Sequence, residues 1–294
     1  MKQTEEKSVA TKVSISGNTR LLGLLGDPVD HSISPAMHNL AFETLGLNYA
    51  YMAFISNGDN LKSTVDAMRA LNVLGFNVTM PVKQKIIPYL DKLSIEAELI
   101  GSVNTVHNEN GQLVGYNTDG LGYVADLQDK GVNIEGRSFL LLGAGGAATG
   151  ISVELARAGA GKITILNRNI EKARRIVFTI NKISKNCQAS ASKLHEESIH
   201  KELPKADILI NCTPVGMGDE IGNSIIKDLH LLPKGLIVSD LIYTPGKTAL
   251  LELGEKAGCK TINGSGMILW QGALAFKIWT GEDMPLQTIK TSLF

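Results

Sequence analysis

Hydrophobic and polar positions change rhythm along this chain, and the changes mark out its elements. Arg20–Gly26 (RLLGLLG) is a short apolar run closed by glycine and Asp27-Pro28, which predicts a buried strand followed by a turn. Ser34-Pro35 then opens a helical pattern: serine at the cap, proline at the first position, and Met37, Leu40, Ala41 and Leu45 on one face. Tyr49–Ile55 predicts a strand, residues 61–71 an amphipathic helix, and residues 75–79 another strand. Residues 82–90 and 95–101 read as helices, and residues 102–108 and 113–115 as a hairpin across the Asn110-Gly111 turn.

The alternation then restarts. A helix over 120–130 is followed by a strand at Ser138–Leu142, a helix over 147–158, a strand over 162–166 and a helix at Ile170–Ile183. Further strands are predicted at 206–211, 235–240 and Lys260–Ile262. This β-α-β-α-β order is that of a nucleotide-binding half. From Gly264-Ser265-Gly266 a helix runs through Trp270 and Phe276 to Trp279, apolar on several sides, so it must pack against another layer. The expectation is an α/β protein of two α/β domains: a substrate domain over 20–118 and 264–294, to which the C-terminal helices return, and a cofactor domain over 119–263.

Composition narrows the function. The chain has 294 residues, 44% hydrophobic and 20% charged, with a formal net charge of zero. That balance gives no bulk attraction to nucleic acid or to an anionic membrane. Residues 1–19 are polar and mixed in charge and read as a disordered tail without the apolar core of a signal peptide. Cys187, Cys212 and Cys259 form no C-x-x-C, and the histidines make no H-E-x-x-H, so neither a disulfide framework nor a metal site is expected. A cytoplasmic location follows as the expectation.

Between the strand at Ser138–Leu142 and the next helix lies Gly143-Ala144-Gly145-Gly146-Ala147-Ala148. It fits G-x-G-x-x-G/A with Gly143, Gly145 and Ala148. The pattern supplies a tight turn, a backbone bare enough to touch a pyrophosphate, and a small residue where helix meets strand. The plain alternative is a glycine-rich turn without a ligand, but the strand–turn–helix context favours a dinucleotide. A site for NAD would place Asp or Glu at the end of the second strand. Here Asn167-Arg168-Asn169 stands there with Lys172 one helical turn on, which suits a 2′-phosphate and favours NADP, with NAD as the alternative.

A dehydrogenase must also orient a substrate and manage a proton at the reacting oxygen. Ser32 and Ser34, at a helix N-terminus, could hold an anionic group, although Ser34 could equally be only a cap. Thr79 and Lys83 follow a strand end, and Asn104 and Asp119 sit beside turns. Lys85 stands two residues from Lys83; on a helix the two would diverge, so only one can serve a site.

Taken in order, the segments GDPVDHSISPAMHN, FNVTMPVKQ, GSVNTV, GYNTDG, LLGAGGAA, LNRN, NCTPVGM and GSGMILWQGALAF resemble the shikimate dehydrogenase family, including quinate/shikimate dehydrogenases. The resemblance implies reversible reduction of 3-dehydroshikimate to shikimate with NADPH, in aromatic amino-acid biosynthesis. It implies Lys83 and Asp119 as the catalytic pair, with Lys85 a bystander. Ser32 and Ser34 would hold the substrate carboxylate, and Thr79, Asn104, Tyr243 and Gln271 would contact the substrate. Gly143, Ala144, Gly145, Gly146, Ala147, Asn167, Arg168, Lys172, Thr213, Gly264 and Met267 would hold the cofactor, Met267 near the nicotinamide. One departure matters: NADP-specific members commonly read Asn-Arg-Thr where this chain has Asn167-Arg168-Asn169. Competing expectations are a quinate/shikimate enzyme using NAD or NADP, a methylene-tetrahydrofolate-type dehydrogenase, and a nucleotide-sensing regulator without turnover. The partners expected are small molecules alone, with the chain a monomer or homodimer.

Overall fold

The computed structural model describes residues 15–294, so residues 1–14 of the expected tail lie outside the described residues. Residues 15–19 are not tail-like. Ser16 N–H donates to Thr19 Oγ1 at 2.8 Å, and the Thr19 hydroxyl donates to Asn48 Oδ1 at 2.7 Å, tying a turn to the body.

The chain divides into two compact units. The first holds the described residues up to Ser94, then Val103–Tyr116 and Gly272–Phe294; the second holds Ile95–Ser102 and Asn117–Gln271. Three pieces therefore fall on the other side of the expected boundaries, among them the pair Asn117-Thr118. The helix α3 (Ile95–Ile100) is in the second unit because it pairs Glu96 with Arg157 at 2.7 Å. Residues 264–271 join the second unit because Met267 is buried in that unit's apolar core.

The first unit contains β1 (Arg20–Gly26), α1 (Ser34–Leu45), β2 (Tyr49–Ile55), α2 (Leu61–Ala70), β3 (Gly75–Val78), β4 (Lys92–Leu93), β5 (Thr105–Glu109) and β6 (Gln112–Tyr116). They form a six-stranded sheet in the order β2-β1-β3-β5-β6-β4. β1 runs parallel to β2 and β3, whereas β5 is antiparallel to β3 and β6. The β5–β6 hairpin closes at Asn110 (φ 55°) and Gly111 (φ 92°), the two positive φ values that a two-residue hairpin turn demands.

Residues 82–90 are not an α-helix. Ile86 N–H reaches Val82 O at 3.0 Å, but Pro88 has no N–H to continue the ladder, and residues Ile87–Tyr89 tighten into a 3₁₀ turn. Lys83 and Lys85 thus lie on successive turns, and their separation has to be read from position.

Helix α9 (Ser265–Thr280) begins in the second unit and its last nine residues belong to the first, where α10 (Leu286–Leu293) packs on α1. The Trp279 indole N–H donates to Val106 O at 2.9 Å, and Phe276 stacks on Phe42 with centroids 5.3 Å apart. His38 lies in this aromatic core at 0% exposure, stacked on Tyr51. Burial pushes its pKa down from 6.5 to about 3. Between those two values the unfolded chain takes up a proton that the native state refuses, so stability falls as pH falls through that window. The His38 share of that slope approaches about 1.4 kcal/mol per pH unit. His38→Phe is expected to unfold with a shallower loss between pH 7 and pH 4 in urea titrations; parallel wild-type and variant curves would remove this role.

The second unit adds α4 (Asp119–Asp129), β7 (Ser138–Leu142), α5 (Gly146–Arg157), β8 (Lys162–Asn167), α6 (Ile170–Ile183), β9 (Gln188–Lys193), α7 (Glu196–Glu202), β10 (Ile208–Asn211), β11 (Ile237–Asp240), α8 (Ala249–Lys256) and β12 (Lys260–Ile262). Its sheet, in the order β12-β11-β10-β7-β8-β9, is parallel throughout, the arrangement of a Rossmann domain. β7 shows why the apolar run is unbroken: Phe139 and Leu141 enter one buried cluster, Leu140 and Leu142 the other. Both faces are covered, so alternate residues are apolar on both. Among the described residues, no helix is long and apolar enough to cross a membrane.

Candidate active site

In the first unit, the substrate-side residues collect at one end of the sheet, because β1 and β3 are parallel and end together, Leu25 opposite Val78. Thr79 N–H donates to Leu25 O at 2.8 Å, and the Thr79 side chain lies against Gly26. A Cβ on Gly26 would strike that side chain and sit 2.9 Å from Met80 O, so glycine at the end of β1 is what lets Thr79 approach. Beyond β1 the chain turns back through Ser32 to α1. Ser32 Oγ accepts the Ser34 N–H at 3.3 Å. The N-cap of α1 is Ile33 rather than the expected Ser34, and no side chain caps this helix. The Ser34 hydroxyl, in a residue 9% exposed, is therefore not spent on capping.

Lys83 follows β3 by one turn. Its carbonyl accepts the Val103 N–H at 2.9 Å, and buried Val82 and Ile86 pin the turn from beneath. Lys83 is half-buried, whereas Lys85 is exposed and its Nζ lies beside Gly58, at the start of the segment leading to α2. Asn104 is 2% exposed; its carbonyl accepts Val78 N–H at 2.8 Å, placing it across from the end of β3. Ser32, Ser34, Thr79, Lys83 and Asn104 are thus brought to the same end of one sheet.

In the second unit, Asp119 opens α4 and is 6% exposed. Its N–H donates to Asn117 Oδ1 at 3.1 Å, and Asn117 Nδ2 donates to Ser102 O at 2.9 Å. Gln271 lies on α9, which crosses α4 closely: a Cβ on Gly122 would come within 2.6 Å of the Gln271 backbone nitrogen. Asp119 and Gln271 are therefore carried by packed helices. The Gln271 amide nitrogen donates to Ile268 O at 3.0 Å. Tyr243 is 36% exposed beyond β11.

The glycine-rich turn has the form a pyrophosphate requires. Gly143 has φ +109°, a conformation side chains resist, and a Cβ there would come within 3.0 Å of Cys212 O. Gly145 meets nothing within 4 Å on its open side, and the first turn of α5 has no side-chain cap, so its amide donors are available to an anion. Ala148 is fully buried where helix meets sheet. Arg168 and Lys172 are exposed beyond β8, and neither has an acidic partner among the described residues. Asn169 caps α6, its Oδ1 accepting Glu171 N–H at 3.0 Å, while Asn167 Nδ2 donates to Asn169 O at 2.7 Å. The residue that departs from Asn-Arg-Thr thus serves the helix end.

Thr213 and Tyr243 hang from one buried network that spacing did not reveal. The Thr213 hydroxyl donates to Asn211 Oδ1 at 2.7 Å, and Asn211 Nδ2 donates to Asp240 Oδ1 at 3.0 Å. Asp240 also accepts the Ile242 N–H and the Thr248 hydroxyl at 3.1 and 2.7 Å. Burial pushes the Asp240 carboxyl above its ordinary pKa, with these donors acting against it. Gly264 permits its chain to lie against Leu241 O, where a Cβ would collide. Met267, expected near the nicotinamide, is 7% exposed within the core cluster that includes Tyr123 and Ala148.

Comparison with known proteins agrees segment by segment. Residues 24–106 match the shikimate dehydrogenase substrate binding domain, 126–217 the shikimate / quinate 5-dehydrogenase family, and 264–294 the shikimate 5′-dehydrogenase C-terminal domain. A shikimate dehydrogenase (NADP(+)) of Alkaliphilus metalliredigens is 57% identical over 94% of this chain and 96% of its own length. The solved shikimate 5-dehydrogenase of Listeria monocytogenes, in complex with shikimate and NAD, is 46% identical with a TM-score of 0.91, covering 95% of this chain and 98% of that one. The Thermus thermophilus enzyme in complex with NADP(H) and shikimate is 33% identical with a TM-score of 0.82, over 92% and 97%.

Proposed function

The chain belongs to the shikimate dehydrogenase family, and from that premise we propose how its residues divide the work. It is an NADP-dependent oxidoreductase that reduces 3-dehydroshikimate to shikimate, reversibly, in the shikimate pathway. The observation that carries the assignment of roles is the gathering of Ser32, Ser34, Thr79, Lys83 and Asn104 at one end of the first sheet.

Ser32 and Ser34 hold the substrate carboxylate with two hydroxyls at the start of α1, where the helix end favours an anion. Thr79, Asn104, Tyr243 and Gln271 orient the ring through its oxygens. Lys83 stabilises the negative charge that builds on the ketone oxygen and donates the proton there, and Asp119 holds the hydroxyl that results. Gly143, Ala144, Gly145, Gly146 and Ala147 cradle the pyrophosphate. Asn167, Arg168 and Lys172 hold the ribose phosphate, with Thr213 and Gly264 shaping the nicotinamide side. When bound, NADPH supplies the hydride. Met267 packs near the nicotinamide. Its partners are small molecules, with the chain a monomer or a homodimer. We place it in the cytoplasm, with the NADPH it consumes.

Quinate use is the second reading, favoured by the match of 126–217 to a shikimate / quinate family. Kinetics with shikimate or quinate, each with NADP or NAD, decide between the two. Shikimate with NADP is expected to exceed each other pairing in kcat/KM by at least about 10-fold, the scale of one lost hydrogen bond to a charged group. A quinate value equal to that for shikimate would overturn the shikimate-specific assignment.

A further inference from the structure

β9 has little apolar pattern in the sequence, yet it ends beside the turn that carries Arg168. It is the edge of the second unit's sheet and pairs only with β8, in a parallel register that sets Lys193 opposite Asn167. The pairing continues past the strand end: Leu194 N–H donates to Asn167 O at 3.1 Å, so the chain leaves β9 still tied to the residue before Arg168. Successive residues of a strand face opposite sides, and the neighbours of Lys193 show which side it takes. Ala189 and Ala191 pack against the buried cluster that holds Ile163 and Ile165 of β8 with Ala173, Ile176 and Ile180 of α6. Leu194 packs against the opposite cluster. Lys193, two residues beyond Ala191, therefore leaves the sheet on the face that α6 covers, at the end where α6 begins. Arg168 and Lys172 stand at that same end, one before the helix and one in its first turn.

We propose that Lys193 is a third cation at the ribose 2′-phosphate, reaching it from β9 while Arg168 and Lys172 reach it from the β8–α6 turn, and that it adds to the preference for NADP over NAD. The proposal rests on the assignment of Arg168 and Lys172 to that phosphate. Neighbouring strands stand about 4.8 Å apart, a gap that the flexible four-carbon stem of a lysine spans. Lys193 is exposed and pairs with no carboxylate among the described residues, while Glu171, in the first turn of α6, is held by Arg174 at 2.7 Å. A phosphate monoester carries about −1.5 to −2 charges at neutral pH, more than one guanidinium neutralises. Cations arriving from two elements can also flank it, which a single turn cannot do. The competing role for a lysine on an edge strand is to keep that edge from pairing with another chain. Such a lysine would treat NADP and NAD alike.

The two roles are separated by calorimetric binding of NADP and of NAD, without substrate, to the full-length wild type, Lys193→Ala, Lys193→Glu, Lys193→Arg and Arg168→Ala. Lys193→Ala is expected to weaken NADP binding about 5-fold, the scale of one exposed charge pair, and NAD binding by less than about 2-fold. Lys193→Glu turns attraction into repulsion and is expected to weaken NADP about 20-fold, again with NAD nearly unmoved. Lys193→Arg keeps the charge and stays within about 2-fold of wild type for both cofactors. Rising salt narrows the gap between wild type and Lys193→Ala, because the interaction removed is the screened one. At saturating NADP the kcat of Lys193→Ala is unchanged, since the phosphate contact is the same in ground and transition states. Equal weakening of NADP and NAD overturns the proposal and leaves Lys193 a residue of the sheet edge. NADP affinities within about 2-fold of wild type in both Lys193→Ala and Lys193→Glu, beside a large NADP-selective loss in Arg168→Ala, overturn it and leave the Arg168 assignment standing. No selective loss in Arg168→Ala removes that assignment, and the proposal with it.

Discussion

Replacing Lys83 by alanine is expected to lower kcat by about 1,000-fold while moving the KM for shikimate by no more than about 10-fold. The ground-state ketone offers a weak dipole to an ammonium, but the transition state carries developing charge on oxygen. An interaction that strengthens along the reaction is lost mainly from kcat. The backbone around Lys83 does not depend on its side chain. The turn is held by the Lys83 carbonyl to Val103 N–H at 2.9 Å and by buried Val82 and Ile86. Truncation therefore removes the amine and leaves its platform. Lys85→Ala is the control: that lysine is exposed, with its Nζ beside Gly58, and its loss is expected to leave both constants unchanged. A Lys83→Ala enzyme with normal kcat and raised KM would reduce Lys83 to a binding residue.

Where local chemistry decides an element, the sequence shows it. β7 reads as a strand because Phe139–Leu142 is apolar on both faces, and the Asn110-Gly111 turn because only such residues tolerate two positive φ values in succession. β9 was not legible: Gln188–Lys193 (QASASK) is an edge strand of small and polar residues, and only its pairing with β8 makes it a strand. The short helices α7, α8 and α10 escaped likewise, each carrying too few turns for a period to emerge. Residues 82–90 misled in the other direction. Val82 and Ile86 have helical spacing and are both buried, but Pro88 stops the ladder. Among the candidate residues, Lys83, Asn104 and the glycine turn stand beside recognisable turns. The buried polar groups near them do not. Asn77 and Thr105 are neighbours only through the β3–β5 register, and Asn211 and Asp240 only through adjacent parallel strands. Nothing in their spacing along the chain announces either meeting.

The second large effect concerns the cofactor. Arg168→Ala is expected to raise the KM for NADP by about 100-fold and to change that for NAD by less than about 3-fold. A guanidinium can meet a phosphate with two parallel charge-assisted bonds, and the ribose hydroxyl of NAD offers nothing comparable. Arg168 lies exposed just beyond β8 with no acidic partner among the described residues, so no internal ion pair competes for it. The nearest cap on α6 is already made, by Asn169 Oδ1 to Glu171 N–H, so a phosphate held there would rely on side-chain charge more than on helix amides. Lys172→Ala should follow the same direction with a smaller effect, since an ammonium acts as a point charge without the fork. Rising salt should weaken NADP binding in the wild type and have less effect in Arg168→Ala, because the screened interaction is the one removed. Arg168→Asp goes further: it repels the phosphate and supplies the acceptor that a ribose hydroxyl wants, so preference should invert toward NAD. Equal losses for NADP and NAD in Arg168→Ala would mean that this arginine orders the turn between β8 and α6 and does not read the phosphate.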